Sequence, residues 1–242
     1  MTDNEKTSSE SNYSSGLETT IADENKTGKL KIPKEIPVLP VKDTVVFPSM
    51  VAALSVFTER DLKLLNNVLA GNRFLALVAQ KDKELKVVKQ SDLYEYATAA
   101  VVLQMLRMPD NSAKMLVQGI RRIKIDEYVQ TDPYFKAKVT ALEDTLESDI
   151  ETEALARNAA DQFIRMISMA PSLPEELKIA IVNVDSPSRL ADMIASHLNV
   201  SIAEKQQVLE SLNVKQRLQK VTALITSEME VLEMATKIQS QV

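Results

Sequence analysis

The sequence predicts an α+β protein: a six-stranded, open β-barrel-like subdomain carrying one helix, then a helical bundle subdomain and a long C-terminal helix. Three observations carry that expectation. Up to Ala141 the apolar runs are short, strand-length and broken by turn residues, the last of them alternating with period two. After the acidic stretch Glu143–Glu153 the period becomes 3.6, that of an amphipathic helix. From Asn213 to Val242 there is neither Gly nor Pro, so nothing in the chain stops a helix once begun.

Residues 1–34 are rich in Ser, Thr, Asn, Glu and Lys without apolar periodicity and read as a disordered tail. Residues 35–143 are the β-rich subdomain. Its first run, Ile36–Val41, contains Pro37 and Pro40, which donate no backbone hydrogen bond, and so is expected at a sheet edge or rim. The second, Val51–Phe57, is bulky and β-branched and is expected nearer the core. Thr58 caps a short helix with Glu59 and Asp61 in its first turn, Leu62, Leu65 and Leu69 on one face, and Gly71 at its end. Phe74–Ala79 is continuously apolar, as in a strand covered on both faces. Lys81–Asp92 is a charged loop. Tyr94–Met108, Met115–Ile125 and Tyr134–Ala141 complete the strands. Pro109-Asp110-Asn111-Ser112 turns between the first two, and Phe135, Ala137, Val139 and Ala141 alternate inward along the third.

Residues 144–212 are the helical subdomain of four helices. Ser148 and Glu151 form a capping box before the stripe Leu155, Ala159, Phe163, Met166 and Ala170. Pro171 and Pro174 break that helix and Pro174-Glu175-Glu176 opens another. Ser186-Pro187 pairs an N-cap with proline at the first helical position, and Ser201 with Glu204 makes a second capping box. Residues 213–242 begin the long helix at Asn213, with Gln216 placed to reach back; Val221, Leu224, Val231, Ala235, Ile238 and Val242 keep near-heptad spacing, interrupted by Glu228. A helix still in pattern at the last residue predicts the front part of a longer polypeptide.

Composition narrows the function. A net charge of −5 argues against a general nucleic-acid or anionic-membrane binder. With no cysteine there is no thiolate catalysis and no Cys-based metal site, and no apolar run approaches the length of a membrane span. Only Gly16, Gly28, Gly71 and Gly119 exist, too few and too scattered for a phosphate-cradling loop. His197 is the sole histidine and sits among Ile194 and Leu198, in a packing or surface position. The carboxylates of Glu143, Asp144, Glu147, Asp149, Glu151 and Glu153 read as a solvated helix start rather than a metal cluster. Arg107, Arg121, Arg122 and Lys124 divide between two strand faces, which argues against a nucleic-acid groove. No catalytic, cofactor or metal residue emerges. What remains is the hairpin bearing Met105, Leu106, Met108, Met115 and Leu116. Alternation buries one face, yet apolar residues occupy adjacent positions beside an exposed turn, which directs some of them outward. Flexible thioethers suit a sequence-tolerant polypeptide-binding surface.

Five ordered segments carry a resemblance: EIPVLPVKDTVVFPSMV (Glu35–Val51), LVAQKD (Leu77–Asp82), VVLQMLRMPDNSAKMLVQGIRRIKI (Val101–Ile125), SPSRLADMIASHL (Ser186–Leu198) and KQQVLESLNVKQRLQKV (Lys205–Val221). Over about 35–242 the chain resembles the N-terminal domain of Lon proteases, with Asn111 where that family's turn commonly has Gly. The resemblance implies a PUA-like barrel and a non-catalytic fragment. Its parent would be an ATP-dependent serine protease of the AAA+ class, degrading misfolded and short-lived regulatory proteins in the cytoplasm. It further implies ATP and Mg only in a downstream module, unfolded or degron-bearing proteins as partners, and homo-hexameric assembly. A free-standing adaptor or ligand-binding protein of the same fold, and a weak RNA-binding small-barrel module, stay as alternatives.

Overall fold

Apolar runs punctuated by Gly, Pro, Asn and Asp fold in the computed structural model, which describes residues 31–145 and 150–240, into six strands. These are β1 (Glu35–Val41), β2 (Val51–Val56), β3 (Phe74–Ala79), β4 (Tyr96–Arg107), β5 (Ala113–Gln130) and β6 (Phe135–Ala141). Helix α1 (Glu59–Ala70) lies between β2 and β3; α2 (Ile150–Met169), α3 (Glu176–Val182), α4 (Pro187–His197), α5 (Ile202–Glu210) and α6 (Val214–Ser240) follow the sheet. Strand order is β2-β5-β4-β3-β1-β6, and β5 also pairs with β6, so five strands form a ring with β2 outside it. The long β5 makes this possible. Ala113–Gln118 holds β2, Ile123–Gln130 holds β6, and β4 runs along the opposite side.

The roles expected of the first two strands are exchanged. β1 sits inside the sheet and pairs in parallel with β3 and antiparallel with β6. Its prolines survive because each half has one partner: Glu35–Val38 meets β6 and Val38–Val41 meets β3. Pro37 and Pro40 therefore each lie in a locally one-sided stretch, where a missing N–H is tolerated. β2 is the edge strand, and most of its residues are exposed or half-buried. β3 is buried at every residue, as its sequence predicts. Phe135, Ala137 and Val139 face inward on β6, but Ala141 is exposed at the strand end.

Helix α1 starts as expected, with the Thr58 side chain accepting from Asp61 N–H at 3.1 Å, and Gly71 caps its end. Its buried face is Leu64, Leu65 and Val68, with Leu62 and Leu69 at the margins. That face packs on Leu75, Leu77, Val102, Met115 and Val117 inside the barrel. The helical core gathers Ala159, Phe163, Met166, Ile194, Leu198, Leu218, Val221 and Ile225. The caps behave as read: Ser186 accepts from Arg189 N–H as an N-cap, and Ser201 with Glu204 is a reciprocal capping box. The Ser148 side of the first box lies outside the described residues. At α6 it is Asn213 Oδ1 that accepts from Gln216 N–H, at 3.0 Å. Its 27 residues extend about 40 Å. The first half is buried through Val214, Leu218, Val221 and Ile225, whereas Val231, Met234 and Ile238 are exposed. Glu228 breaks the stripe for a reason: its carboxylate accepts Asn199 N–H at 3.0 and 3.1 Å, beyond the end of α4.

The loop 42–50 serves both cores. Val46 enters the barrel and Phe47 the helical bundle, and the Thr98 hydroxyl donates to Val46 O at 2.6 Å. Loop and sheet are laced through Gly119, whose O accepts from Ser49 N–H at 2.8 Å and whose N–H donates to Met50 O at 2.8 Å.

A buried charge cluster joins the two parts. Arg122 of β5 donates to both carboxylate oxygens of Asp192 on α4, at 2.5 and 2.9 Å, and through Nε to Leu209 O at 2.8 Å. Arg217 of α6, fully buried, donates to Asp144 at 2.5 and 3.1 Å, to Ser188 Oγ at 2.9 Å and to Ser211 O at 2.8 Å. The Ser188 hydroxyl also donates to Asp144. Burial pushes the Asp144 carboxyl up, but hydrogen bonds from Arg217 and Ser188 and the charges of both arginines outweigh it and hold it below the ordinary range. Asp192 is pushed up by its deeper burial, against the pull of Arg122 and Arg217. Arg122 is thus an interior group, and Asp144 stands at the rim of the cluster, paired with Arg217 rather than free on a solvated acidic face.

Two predictions follow from this packing. A Cβ on Gly119 would stand 2.2 Å from Phe47 O. Gly119→Ala should therefore lower unfolding free energy by at least about 1–3 kcal/mol in urea titration, whereas Gly71→Ala, whose nearest contact is 3.5 Å away, should change it by under about 0.5 kcal/mol. Because the folded Asp144 carboxyl ionises below the usual value near 3.9, its contribution is complete above that range and is lost as pH falls through its folded value. Asp144→Asn should lower the melting temperature near neutral pH and shrink the further drop between about pH 6 and pH 3. An unchanged acid slope would remove Asp144 as its source.

Candidate polypeptide-binding surface

The β4–β5 hairpin is built by its turn. Asp110 Oδ1 accepts from Ser112 N–H at 3.0 Å and from the Ser112 hydroxyl at 2.6 Å, bonds that hold its carboxyl below the usual range. Met108 N–H donates to Ser112 O at 2.9 Å. Asn111 takes φ 63°, the left-handed geometry that Asn tolerates.

Register then divides the five candidate residues between two faces. Leu54, Met115 and Met105 form one row across β2, β5 and β4, and this row faces the barrel core. Met115 is 2% exposed, so it is a core side chain and not a contact residue. Met105 is half-buried against the same cluster. The next rows point outward: Ser55, Lys114 and Leu106, then Ala53, Leu116 and Gln104. Leu106 is 64% exposed, Leu116 is half-buried, and Met108 is half-buried beside the turn. Val51 extends the apolar part of this outer face at 56% exposure. The surface is therefore aliphatic and mixed with short polar chains rather than Met-lined. Strand alternation, applied with the correct pairing register, is the signal that separates Met115 from Leu106.

Other residues singled out by the sequence are engaged. Arg121 pairs with Glu143 at 3.1 Å, and Arg107 donates to Asn66 Oδ1 at 2.6 Å. Glu153 lies 3.9 Å from Arg157. His197 Nδ1 lies 2.9 Å from Met193 O and 3.0 Å from Ser196 Oγ at the end of α4. Glu147 and Asp149 lie outside the described residues. Among the described residues no three His, Cys, Asp or Glu side chains gather as a metal site, and no helix is long and apolar enough to cross a membrane.

A family model described as the ATP-dependent protease La (LON) substrate-binding domain matches residues 35–227. The chain belongs to that family. The Lon protease of Dictyoglomus thermophilum is 42% identical over 211 residues, 87% of this chain and 26% of that protein. The Lon protease of Desulfosudis oleivorans is 36% identical over 213 residues, 88% of this chain and 26% of that protein. The chain thus spans about a quarter of the curated relatives it matches. The solved N-terminal domain of Mycobacterium avium complex Lon protease has the same fold, with a TM-score of 0.67 at 22% identity over 80% of this chain and 98% of that one.

The Lon domain's two hairpin faces should separate on substitution. Met115→Ser should cost about 2–5 kcal/mol of stability, as for truncation of a buried Met. Leu106→Ser should stay within about 0.5 kcal/mol. Equal losses in chemical denaturation would mean that the register described here is wrong.

Proposed function

We propose that this chain is the polypeptide-capturing front region of an ATP-dependent Lon protease and performs no bond cleavage itself. The match of residues 35–227 to the Lon substrate-binding domain, on a chain spanning 26% of the Lon proteases it resembles, is the observation that carries this reading. ATP, Mg and peptide hydrolysis then belong to segments of the longer protein, in the cytoplasm of bacteria such as those of the relatives. The outer face around Leu106, Leu116, Val51 and Met108 takes apolar side chains of an unfolded protein with little sequence preference. Each site is weak, micromolar capture corresponding to about −8 kcal/mol. Assembly as a homo-hexamer would present tethered copies and raise avidity without a new contact. Helix α6 is the connection toward the motor, packed at its start and projecting apolar residues further along.

The test is binding of the 242-residue chain to a chemically denatured protein, read by titration. Leu106→Ser combined with Met108→Gln should weaken binding about three- to tenfold with the melting temperature preserved. Unchanged affinity in a folded variant excludes the hairpin as the capture surface.

A further inference from the structure

The edge of β2 is unguarded. Val-Ala-Ala-Leu-Ser-Val contains no proline and no charge, the devices that normally blunt an exposed strand edge. Among the described residues β2 pairs only with β5, and Leu39–Val41 of β1 only with β3. Both stretches border one groove of about 420 Å³, within the size range of ligand sites. Consecutive residues 39–44 on one side and 53–58 on the other line it. Phe57, 72% exposed, stands at its rim and Leu54 is half-buried in its wall.

Two acceptors lining this groove make no hydrogen bond. Gln80 is 2% exposed, yet its side-chain Oε1 has no hydrogen-bond partner. Asp61 Oδ2 accepts from the Thr58 hydroxyl, but Oδ1 is buried without a hydrogen bond, with Arg60 Nε 3.8 Å away. A buried acceptor left unmade costs about 1–3 kcal/mol, so an N–H brought to Gln80 would relieve that cost. An unpaired strand edge asks for alternating N–H and C=O groups, which a polypeptide backbone supplies in the right spacing. Lys42 stands beside Asp43, and Asp61 is paired with Arg60, so the groove carries no excess charge and suits an uncharged backbone.

We propose that this groove is a strand-addition site. An extended segment of an unfolded protein lies along β2, pairs with its free edge, offers an N–H to Gln80, and rests an apolar side chain against Leu54 and Phe57. The proposal rests on the polypeptide-capture reading and specifies how the main chain is held. It also accounts for sequence tolerance, since the backbone is the part every unfolded protein shares.

The experiment compares an extended apolar peptide flanked by lysines with the same peptide N-methylated at alternate amides, which keeps the side chains and removes the donors. The unmodified peptide should bind the 242-residue chain at least about tenfold more tightly and slow amide exchange of Val51–Val56. Gln80→Met should weaken that binding while leaving the melting temperature equal or higher, since an orphan acceptor is removed; a purely structural Gln80 would show the reverse. Equal binding of the two peptides, or capture of denatured protein with β2 exchange unchanged, overturns strand addition and leaves the capture reading standing. Failure to bind either peptide or denatured protein overturns both.

Discussion

Arg122 and Arg217 hold the molecule in its working arrangement. A buried guanidinium must have its donors met, and here they are met by Asp144 of the connector, Ser188 and Asp192 of α4, Leu209 O of α5 and Ser211 O just beyond it. Removing one partner of such a cluster strands the others as buried charges, typically at about 3–5 kcal/mol. The fork of Arg122 onto Asp192 fixes α4 against β5, and Arg217 fixes the start of α6 against the connector at Asp144. Beside them Thr145 N–H donates to Leu212 O at 2.9 Å and Val214 N–H to Thr145 O at 3.1 Å, so the charge cluster and a backbone clasp coincide. The orientation of the hairpin and of the exit helix relative to one another depends on this joint.

How much of this was readable in the chain depended on the range of each interaction. Local chemistry was legible: the Thr58, Ser186 and Ser201 caps, the Asp110-Asn111-Ser112 turn and the buried run of β3 all appear where short-range rules place them. Long-range pairing was not. Arg122 and Asp192 are 70 residues apart, and nothing in either neighbourhood marks them as partners. Proline content ranked β1 below β2 as a core strand, but a strand that changes partner halfway can accept both prolines. Met115 looked like Leu106 until the register put them on opposite faces. Gln80, an amide directly after six buried residues, was the overlooked signal; a polar side chain closing an apolar strand is worth tracing to its partner.

The edge strand and the long helix share a logic of incompleteness. Five strands satisfy one another in a ring while, among the described residues, β2 pairs on one side alone, and α6 packs half its length and exposes the rest. Saturated elements give the rigidity on which unsaturated ones can be presented.

The segment 42–50 carries one more consequence. Because Val46 anchors in one core and its neighbour Phe47 in the other, neither core can open without withdrawing a side chain from its counterpart. Barrel and bundle therefore melt as one cooperative block, and the slowest-exchanging amides of the two should share a single opening free energy rather than reporting two separate foldons. A grip of this kind lets tension applied at one end be borne by the whole.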